Sequence, residues 1–367
     1  MKISRARWWI SCDGRAGSVP RGLAAALAAA FALVGCDRLV DREIERNLTR
    51  VDASVLASPD LQVVLCGTGS PLADAARAGA CTAVIAGGSF VLVDVGPGSW
   101  EQVDLANLPI GELDAVLLTH FHSDHIGDLG EAITQSWIAG RTKPLDVYGP
   151  AGVGRIVAGL REAYAFDVEY RVAHHGQAWM PREAGLAVAH EFALPPEGSP
   201  EAVSVLEQGG LRVTAFRVDH TPVSPAVGYR FDWRGRSVVI SGDTGKSASL
   251  VANARGADLL VHEALQPKLT GRASEIARRL GRERMAKLAG DVATYHTTPR
   301  EAAEEAREAG VKHLVLSHLV PGPDNALARR LFLDGAGEVF PGEITLGEDG
   351  MRFALAPAEP PSGAPQP

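Results

Sequence analysis

The segment Thr119–His125 contains the densest group of side chains that could bind a metal or move a proton. Three imidazoles and one carboxylate fall within six consecutive positions, at His120, His122, Asp124 and His125. A turn here would let His120 and His122 converge on one point, and Asp124 and His125 on a second. Neutral imidazole and carboxylate oxygen both suit zinc, and a zinc site with an open position holds a reactive water. A single histidine is more often an ordinary residue, but this density predicts two adjacent metal ions.

The elements around this segment should place its ligands at the junction of a strand and a helix. Residues 113–118 form an apolar run that is typical of a buried strand. Residues 126–139 have a helical pattern, with Ser123 as the expected N-cap and Gly140 just beyond the end. The N-terminus of that helix would add positive potential beside a bound anion.

The pattern His120-x-His122-x-Asp124-His125 after an apolar strand resembles the signature of the metallo-β-lactamase superfamily. The resemblance implies an α/β (α+β) fold, a single domain built as a four-layer αββα sandwich with its metal site at one sheet edge. It also implies two Zn²⁺ per chain and hydrolysis by metal-activated hydroxide, which Asp124 would orient.

The same resemblance implies that the remaining metal ligands come from distant loops. His220 precedes Thr-Pro-Val-Ser-Pro and is favoured over His190, which lies in a proline-rich stretch without that sequel. Asp243, in a Gly-Asp-Thr context, matches the bridging aspartate. His318 ends an apolar strand and is favoured over His313. The implied ligands are His120, His122 and His220 for one metal, Asp124, His125 and His318 for the other, and Asp243 between them.

Three further residues match supporting positions of the superfamily. Asp94 matches a carboxylate that holds the far ring nitrogen of a metal-binding histidine and so fixes its tautomer. Glu263 in His-Glu-Ala and His296 in His-Thr-Thr match a pair in tRNase Z-like enzymes, in which the histidine protonates the leaving oxygen and the glutamate orients it. The catalytic residues implied are therefore Asp124, His296 and Glu263. An ordinary residue before a helix cap is the alternative for His296.

The sequence divides into four predicted regions. Residues 1–36 have basic residues, then an apolar run, then Leu-Val-Gly-Cys, which resembles a lipoprotein signal with Cys36 as the lipidated residue. A membrane anchor or a buried helix is the alternative. Residues 37–60 are expected to be a linker, residues 61–356 the hydrolase domain, and residues 357–367 a disordered proline-rich tail. The predicted location is exported, either anchored to a membrane by lipid or periplasmic.

Some features inside the predicted domain remain open or only broadly described. Cys66 and Cys81 could pair outside the cytoplasm or be buried free thiols. Residues 165–210 look irregular and could form a substrate wall or lid. Thr298-Pro299-Arg300-Glu301 predicts a capping box at the start of a helix over residues 299–309.

Charge and spacing narrow the predicted substrate. Without residues 1–35 the chain carries 31 basic and 43 acidic residues, a net charge of −12 that makes nucleic acid an unlikely partner. Only 23 positions separate His220 from Asp243, too few for the flexible arm that tRNA-processing relatives often carry there. The predicted substrate is a small anionic ester, either a phosphodiester or an aryl sulfate, as in exported arylsulfatase-like members. The alternatives are a tRNase Z-like 3′-endoribonuclease, a lactone or thioester hydrolase, and a non-catalytic metal-binding lipoprotein. A homodimer is left open.

Overall fold

The computed structural model describes residues 37–358 of the 367-residue chain. The described chain divides into two compact units, one ending at Val51 and the other beginning at Asp52. Helix α1 covers residues 37–48 of the first unit, where a linker or short surface helix was expected. The predicted signal segment with Cys36 and the last nine residues of the tail lie outside the described residues, so export and lipid attachment stay predictions. Among residues 37–358, no helix combines the length and apolar character needed to cross a bilayer.

The second unit is built on two seven-stranded sheets. The strands, in chain order, are β1 (Leu61–Gly67), β2 (Cys81–Ala86), β3 (Ser89–Val93), β4 (Ala115–Leu117), β5 (Leu145–Gly149), β6 (Ala187–Glu191), β7 (Ala202–Gln208), β8 (Leu211–Arg217), β9 (Val227–Trp233), β10 (Arg236–Ile240), β11 (Leu259–Leu265), β12 (His313–Val320), β13 (Glu343–Leu346) and β14 (Arg352–Leu355). The first sheet has the order β14-β1-β2-β3-β4-β5-β6, and the second has the order β13-β12-β11-β10-β9-β8-β7. Both sheets mix parallel and antiparallel neighbours.

Helices cover the outer faces of both sheets. They are α2 (Ser54–Ala57), α3 (Ser99–Leu105), α4 (Ser123–Ile126), α5 (Leu129–Ile138), α6 (Val153–Ala163), α7 (Ala165–His175), α8 (Ala248–Asn253), α9 (Pro267–Arg279), α10 (Glu283–Asp291), α11 (Pro299–Ala309), α12 (Ala326–Phe332) and α13 (Ala336–Val339). The predicted capping box is present: the Thr298 hydroxyl accepts from the Glu301 N–H, and the Glu301 carboxylate accepts from the Thr298 N–H.

Three apolar layers hold the sandwich together. Alternate strand residues face opposite sides of a sheet, and β1 shows this directly. Val63 packs between the two sheets, whereas Val64 packs against the helices outside the first sheet. A third cluster, which includes Val239 and Ala302, joins the second sheet to α8 and α11. The predicted four-layer αββα sandwich is confirmed.

The helix predicted over residues 126–139 is wrong in its first turns. Ser123 is the first residue of α4 rather than an N-cap, and a break at residues 127–128 separates α4 from α5. The Asp128 N–H donates to the Val95 carbonyl at 2.9 Å, and the Asp128 carboxylate accepts from the Trp100 N–H at 3.2 Å. These contacts tie residue 128 to the loop before α3 and to its first turn, at the point where the helix is interrupted. They depend on distant residues and leave no local signal.

The segment 165–210 is more regular than predicted. It contains α7 and the edge strands of both sheets, β6 and β7. His190 lies in β6 and hydrogen-bonds Asp146 at 2.8 Å, while His174 and His175 are exposed in the last turn of α7.

The two cysteines of the domain form a disulfide. Cys66 at the end of β1 is bonded to Cys81 at the start of β2. Of the two possibilities that the sequence left open, a disulfide and two buried free thiols, the structure shows the disulfide. Disulfides of this kind persist mainly in oxidising compartments outside the cytoplasm.

Candidate metal centre

The first half of the site is held where β3 and β4 end side by side. Asp94 follows β3, and its carboxylate accepts from the Thr119 N–H at 2.8 Å and from the Thr119 hydroxyl at 2.7 Å. The same carboxylate lies 2.8 Å from Nδ1 of His125. Asp94 therefore fixes the start of the loop that carries His120 and His122. It also orients the His125 ring, which is the kind of support that the sequence predicted for it.

The second half comes from the matching edge of the other sheet. Strands β10, β11 and β12 run parallel, so their C-terminal ends meet at one edge. Asp243 follows β10, Glu263 lies near the end of β11, and His318 lies near the end of β12. Strand β8 has the same direction because it is two antiparallel steps from β10, and this brings His220 to that edge.

The structure brings all seven predicted ligands together. Their donor atoms form two groups, within 4.8 Å of one another in each group, and a third group of Asp243, His296 and His318 overlaps both. The first group has three imidazoles and one carboxylate, and the second has two imidazoles and one carboxylate. They are His120, His122, His220 and Asp243, and then Asp124, His125 and His318.

The carboxylate of Asp243 lies between the two groups. Its Oδ2 atom is 3.3 Å from Nε2 of His125 and 3.4 Å from Nε2 of His318. On the other side it is 3.9 Å from Nε2 of His220 and 4.0 Å from Nε2 of His120. A carboxylate in this position can give one oxygen to each of two ions about 3.5–4 Å apart.

The site contains buried polar atoms that have no partner among residues 37–358. They include Nε2 of His125, Nε2 of His220 and Oδ1 of Asp243. Each such atom costs about 1–3 kcal/mol when it is left unsatisfied, so a missing ligand is the simplest explanation. The far ring nitrogens are occupied, because Nδ1 of His220 donates to the Tyr295 carbonyl at 3.1 Å and Nδ1 of His125 faces Asp94. The free donor atoms fit a pair of divalent metal ions.

The charges of the site are strongly coupled. Burial disfavours the ionised form of Asp243, but His318 and His125 hold the pKa of its carboxyl well below the usual range. Burial also lowers the pKa of His120, which favours the neutral ring that binds a metal. Burial acts against a charged His125, yet Asp243 and Asp94 raise the pKa of that ring.

Glu263 and His296 form a second unit beside the metal ligands. Oε1 of Glu263 accepts from the backbone N–H groups of Thr244 and Thr297, at 3.2 and 3.1 Å. The same oxygen lies 2.9 Å from Nδ1 of His296. The His296 ring is 5.2 Å from the His220 ring and 5.6 Å from the His318 ring, measured between centroids. It therefore lies next to both groups of ligands.

The Glu263 carboxylate changes the protonation of His296. Burial by itself lowers the pKa of the ring, but the charge and hydrogen bond of Glu263 outweigh it and raise the pKa of His296 to about 9. Because Nδ1 faces Glu263, Nε2 is the ring nitrogen left to carry a proton towards the metal ligands.

A buried ion pair that sequence reasoning missed supports this region. His262 and Glu305 are both fully buried, with Nε2 of His262 3.2 Å from Oε2 of Glu305. Oε1 of Glu305 accepts from the Ser247 N–H at 2.6 Å, and Nδ1 of His262 bonds the Glu263 carbonyl. The pair thus ties β11 and α11 to the loop after Asp243. One signal existed in the sequence, because Glu305 interrupts the alanine face of α11.

We expect Glu305→Ala to lower the free energy of unfolding by about 3–5 kcal/mol, because it leaves the buried His262 ring without its carboxylate. Glu308→Ala on the exposed face of the same helix is the matched control, with an expected change within about 0.5 kcal/mol. Urea unfolding of the two variants measures both values. Equal small losses would show that the pair contributes little.

The remaining candidate histidines lie apart from these groups. His313 lies in β12 and bonds the Thr345 hydroxyl at 2.9 Å. His190 bonds Asp146 in the first sheet and stacks on Tyr148. Neither belongs to the groups of possible ligands found among residues 37–358.

The fold and the site together define a class, an αββα sandwich that gathers histidines and aspartates for two metal ions at one edge of its sheets. A family profile described as the beta-lactamase superfamily domain matches residues 90–319. This chain belongs to the metallo-β-lactamase superfamily.

Named relatives are similar over most of this chain. Ribonuclease Z of Mycobacterium bovis (strain BCG / Pasteur 1173P2) is 35% identical over 302 residues, 81% of this chain and 99% of that protein. Ribonuclease Z of Mycobacterium sp. (strain KMS) is 37% identical over 303 residues, 81% of this chain and 97% of that protein. These relatives support the tRNase Z side of the predicted resemblance and give no support to its arylsulfatase-like side.

Solved structures share the fold at lower identity. The metallo-beta-lactamase fold protein YhfI from Bacillus subtilis has a TM-score of 0.58 at 20% identity, covering 80% of this chain and 99% of its own. The short form of human tRNase Z has a TM-score of 0.57 at 22% identity, covering 80% and 99%.

Proposed function

We propose that this protein is a dinuclear metal-dependent phosphodiesterase that hydrolyses RNA. The observation that carries the proposal is the Glu263–His296 pair, in which a carboxylate orients an imidazole beside a complete set of ligands for two metals. The relatives named Ribonuclease Z support RNA as the substrate, since they are 35–37% identical along almost their whole length.

Different residues of the chain would bind the metals, orient the attacking water and hold the ligands in place. The seven ligands would hold two zinc ions, which would activate a water and neutralise charge on the phosphate. Asp124, whose Oδ2 atom lies 3.1 Å from Nε2 of His318, would orient the attacking water from the edge of the second group. Asp94 keeps the His125 ring in one orientation. Each of these roles depends on side chains that are already placed before substrate arrives.

His296 would act on the leaving group. Its Nδ1 atom is bound to Glu263, so Nε2 is the atom that can give a proton to the oxygen that departs from phosphorus. A ribose oxygen is a poor leaving group without that proton. Glu263 touches no substrate in this scheme, because it receives three donors and serves to orient and charge the histidine.

The relatives weigh against the prediction that nucleic acid is an unlikely partner. That prediction rested on the net charge of the whole chain, which says little about the local field beside one site. The second candidate is a small phosphodiester. It is favoured by the segment between His220 and Asp243, which contains only the strands β9 and β10 and so has no arm.

A substrate panel tests the proposal. Purified zinc-loaded protein should cleave a labelled RNA and bis(p-nitrophenyl) phosphate but leave p-nitrophenyl sulfate intact. Cleavage of bis(p-nitrophenyl) phosphate without any RNA cleavage would favour the small phosphodiester. Hydrolysis of the sulfate alone would contradict both candidate functions, the cleavage of RNA and the cleavage of a small phosphodiester.

A further inference from the structure

A helical hairpin separates the two members of the Glu263–His296 pair. The chain leaves β11 at Leu265 and returns at Thr297, where the Leu265 N–H donates to the Thr297 carbonyl at 2.8 Å. Helices α9 and α10 lie between these ends, and the Ser274 hydroxyl of α9 bonds the Ala286 carbonyl of α10 at 2.6 Å. The hairpin is therefore a closed unit whose base is fixed one or two residues from the pair.

The returning limb of the hairpin also contacts the metal centre. The Tyr295 carbonyl accepts from Nδ1 of His220, and the Tyr295 ring packs edge-on against the His220 ring with centroids 5.2 Å apart. The base of the hairpin is therefore in direct contact with one of the metal ligands.

The charge of the hairpin is opposite to that of the chain. The chain has a formal net charge of −8, but residues 267–291 contain seven basic and three acidic residues, a net charge of +4. The basic residues are Lys268, Arg272, Arg278, Arg279, Arg282, Arg284 and Lys287. A local positive field of this kind attracts a polyanion even when the rest of the protein is acidic.

All five arginines of the hairpin are exposed; Arg282 contacts the Met285 sulfur, and the other four have no side-chain partner among residues 37–358. Lys268 and Lys287 are paired with Asp334 and Asp291. In contrast, no carboxylate of residues 37–358 lies within 4.0 Å of those four guanidinium groups. Their planar donors match phosphate oxygens. They are Arg272, Arg278, Arg279 and Arg284.

Two of the four lie on one open face of α9. The charged residues of this face are Lys268, Arg272, Glu275 and Arg279, all exposed. The opposite face of α9, with Ser274, packs inward. The arginines therefore face solvent on the outer side of the hairpin.

We propose that the α9–α10 hairpin is the surface on which the phosphate backbone of an RNA substrate docks. This inference rests on the proposed function and names the part of the chain that would select a polymer over a small ester. RNA is favoured over an anionic membrane because the base of the hairpin is fixed to Glu263, His296 and His220. A strand bound along the arginines of α9 would have the base of the hairpin, and with it the Glu263–His296 pair, at one end of its path.

The test compares two charge-matched double variants of the full-length, zinc-loaded protein. The first is Arg272→Glu with Arg279→Glu. The control is Arg255→Glu with Arg307→Glu. Both arginines are exposed. Arg255 lies before β11 and Arg307 in the last turn of α11, at the end of the parallel strands away from the metal ligands. The first measurement is the Kd of a fluorescent tRNA transcript between 50 and 200 mM salt, about the range over which phosphate contacts weaken most visibly. The second is the turnover of bis(p-nitrophenyl) phosphate.

We expect the hairpin variant to bind the transcript at least about tenfold more weakly than wild type at 100 mM salt, with a salt slope smaller by about two. The control should stay within about twofold. Both variants should keep turnover of bis(p-nitrophenyl) phosphate within about twofold, which also shows that they fold. If the charge-reversed variant does not fold, the neutral double variant Arg272→Gln with Arg279→Gln is measured in its place.

Three outcomes would overturn the inference. The first is equal RNA affinity in the two double variants, and the second is no RNA binding by the wild type. The third is a hairpin variant that loses binding to vesicles with 30% phosphatidylserine (about the anionic content of a charged membrane leaflet) but keeps its RNA affinity. A protein that cleaves neither RNA nor bis(p-nitrophenyl) phosphate would instead refute the proposed function.

Discussion

Asp243→Ala should leave the protein with fewer than two zinc ions and reduce kcat/KM by about 10³-fold or more, on RNA and on bis(p-nitrophenyl) phosphate alike. Among residues 37–358, Asp243 is the one carboxylate within 4.0 Å of ring nitrogens from both groups of ligands. Without it, four buried histidines would have to hold two cations with no shared negative charge. Metal binding and activity therefore fail together.

Metal content by elemental analysis and steady-state rates measure this result. Asp232→Ala is the control, because Asp232 lies in β9 of the same sheet and pairs with Arg230 at the surface. The control should keep two zinc ions and wild-type turnover. An Asp243→Ala protein with two zinc ions and normal rates would show that the site is assembled differently.

His296→Ala should separate leaving groups instead of removing metal. We expect two zinc ions to stay bound, since the seven ligands are intact. Cleavage of RNA should fall by about 10²–10⁴-fold, because the departing ribose oxygen needs a proton. Cleavage of bis(p-nitrophenyl) phosphate should fall less than about tenfold, because nitrophenolate leaves readily as an anion.

The ratio of the two losses is the decisive quantity. His313→Ala is the matched control, since His313 is bonded to Thr345 and lies outside the groups of ligands. Glu263→Gln should show a weaker form of the same selectivity, because the amide can still accept from His296 but carries no charge. Losses of the same size on both substrates would refute the general-acid role.

Sequence reasoning was strongest where the chemistry is local. His120, His122, Asp124 and His125 are neighbours along the chain, so their spacing alone indicates a metal site. His318 is 194 positions from Asp124, and no periodic pattern links the two. The distant ligands were available only because the loops around them resemble those of a known superfamily, and the structure then brings them together.

The features that were missed depend on tertiary contacts. The break at residues 127–128 arises from bonds of Asp128 to Val95 and Trp100. The partner of edge strand β6 is β5, which lies far earlier in the chain. Edge strand β7 is an exception, because it pairs with the next strand, β8, in a local hairpin through Gly209 and Gly210 that the irregular assignment of residues 165–210 overlooked. The sequence pattern indicated a single helix after β11, whereas α9 and α10 precede α11, so the basic hairpin had no counterpart among the predictions.

The division of the ligands between the two sheets has a consequence for how the protein matures. His125 follows β4 of one sheet, and Asp243 and His318 come from β10 and β12 of the other. The unfolded chain keeps only the local group at residues 120–125, whereas all seven ligands meet only in the native state, so cations bind the native state more tightly and stabilise it by mass action. Docking of one sheet on the other and capture of the metals are thus thermodynamically linked, and the supply of metal ions during biosynthesis would affect the yield of folded protein.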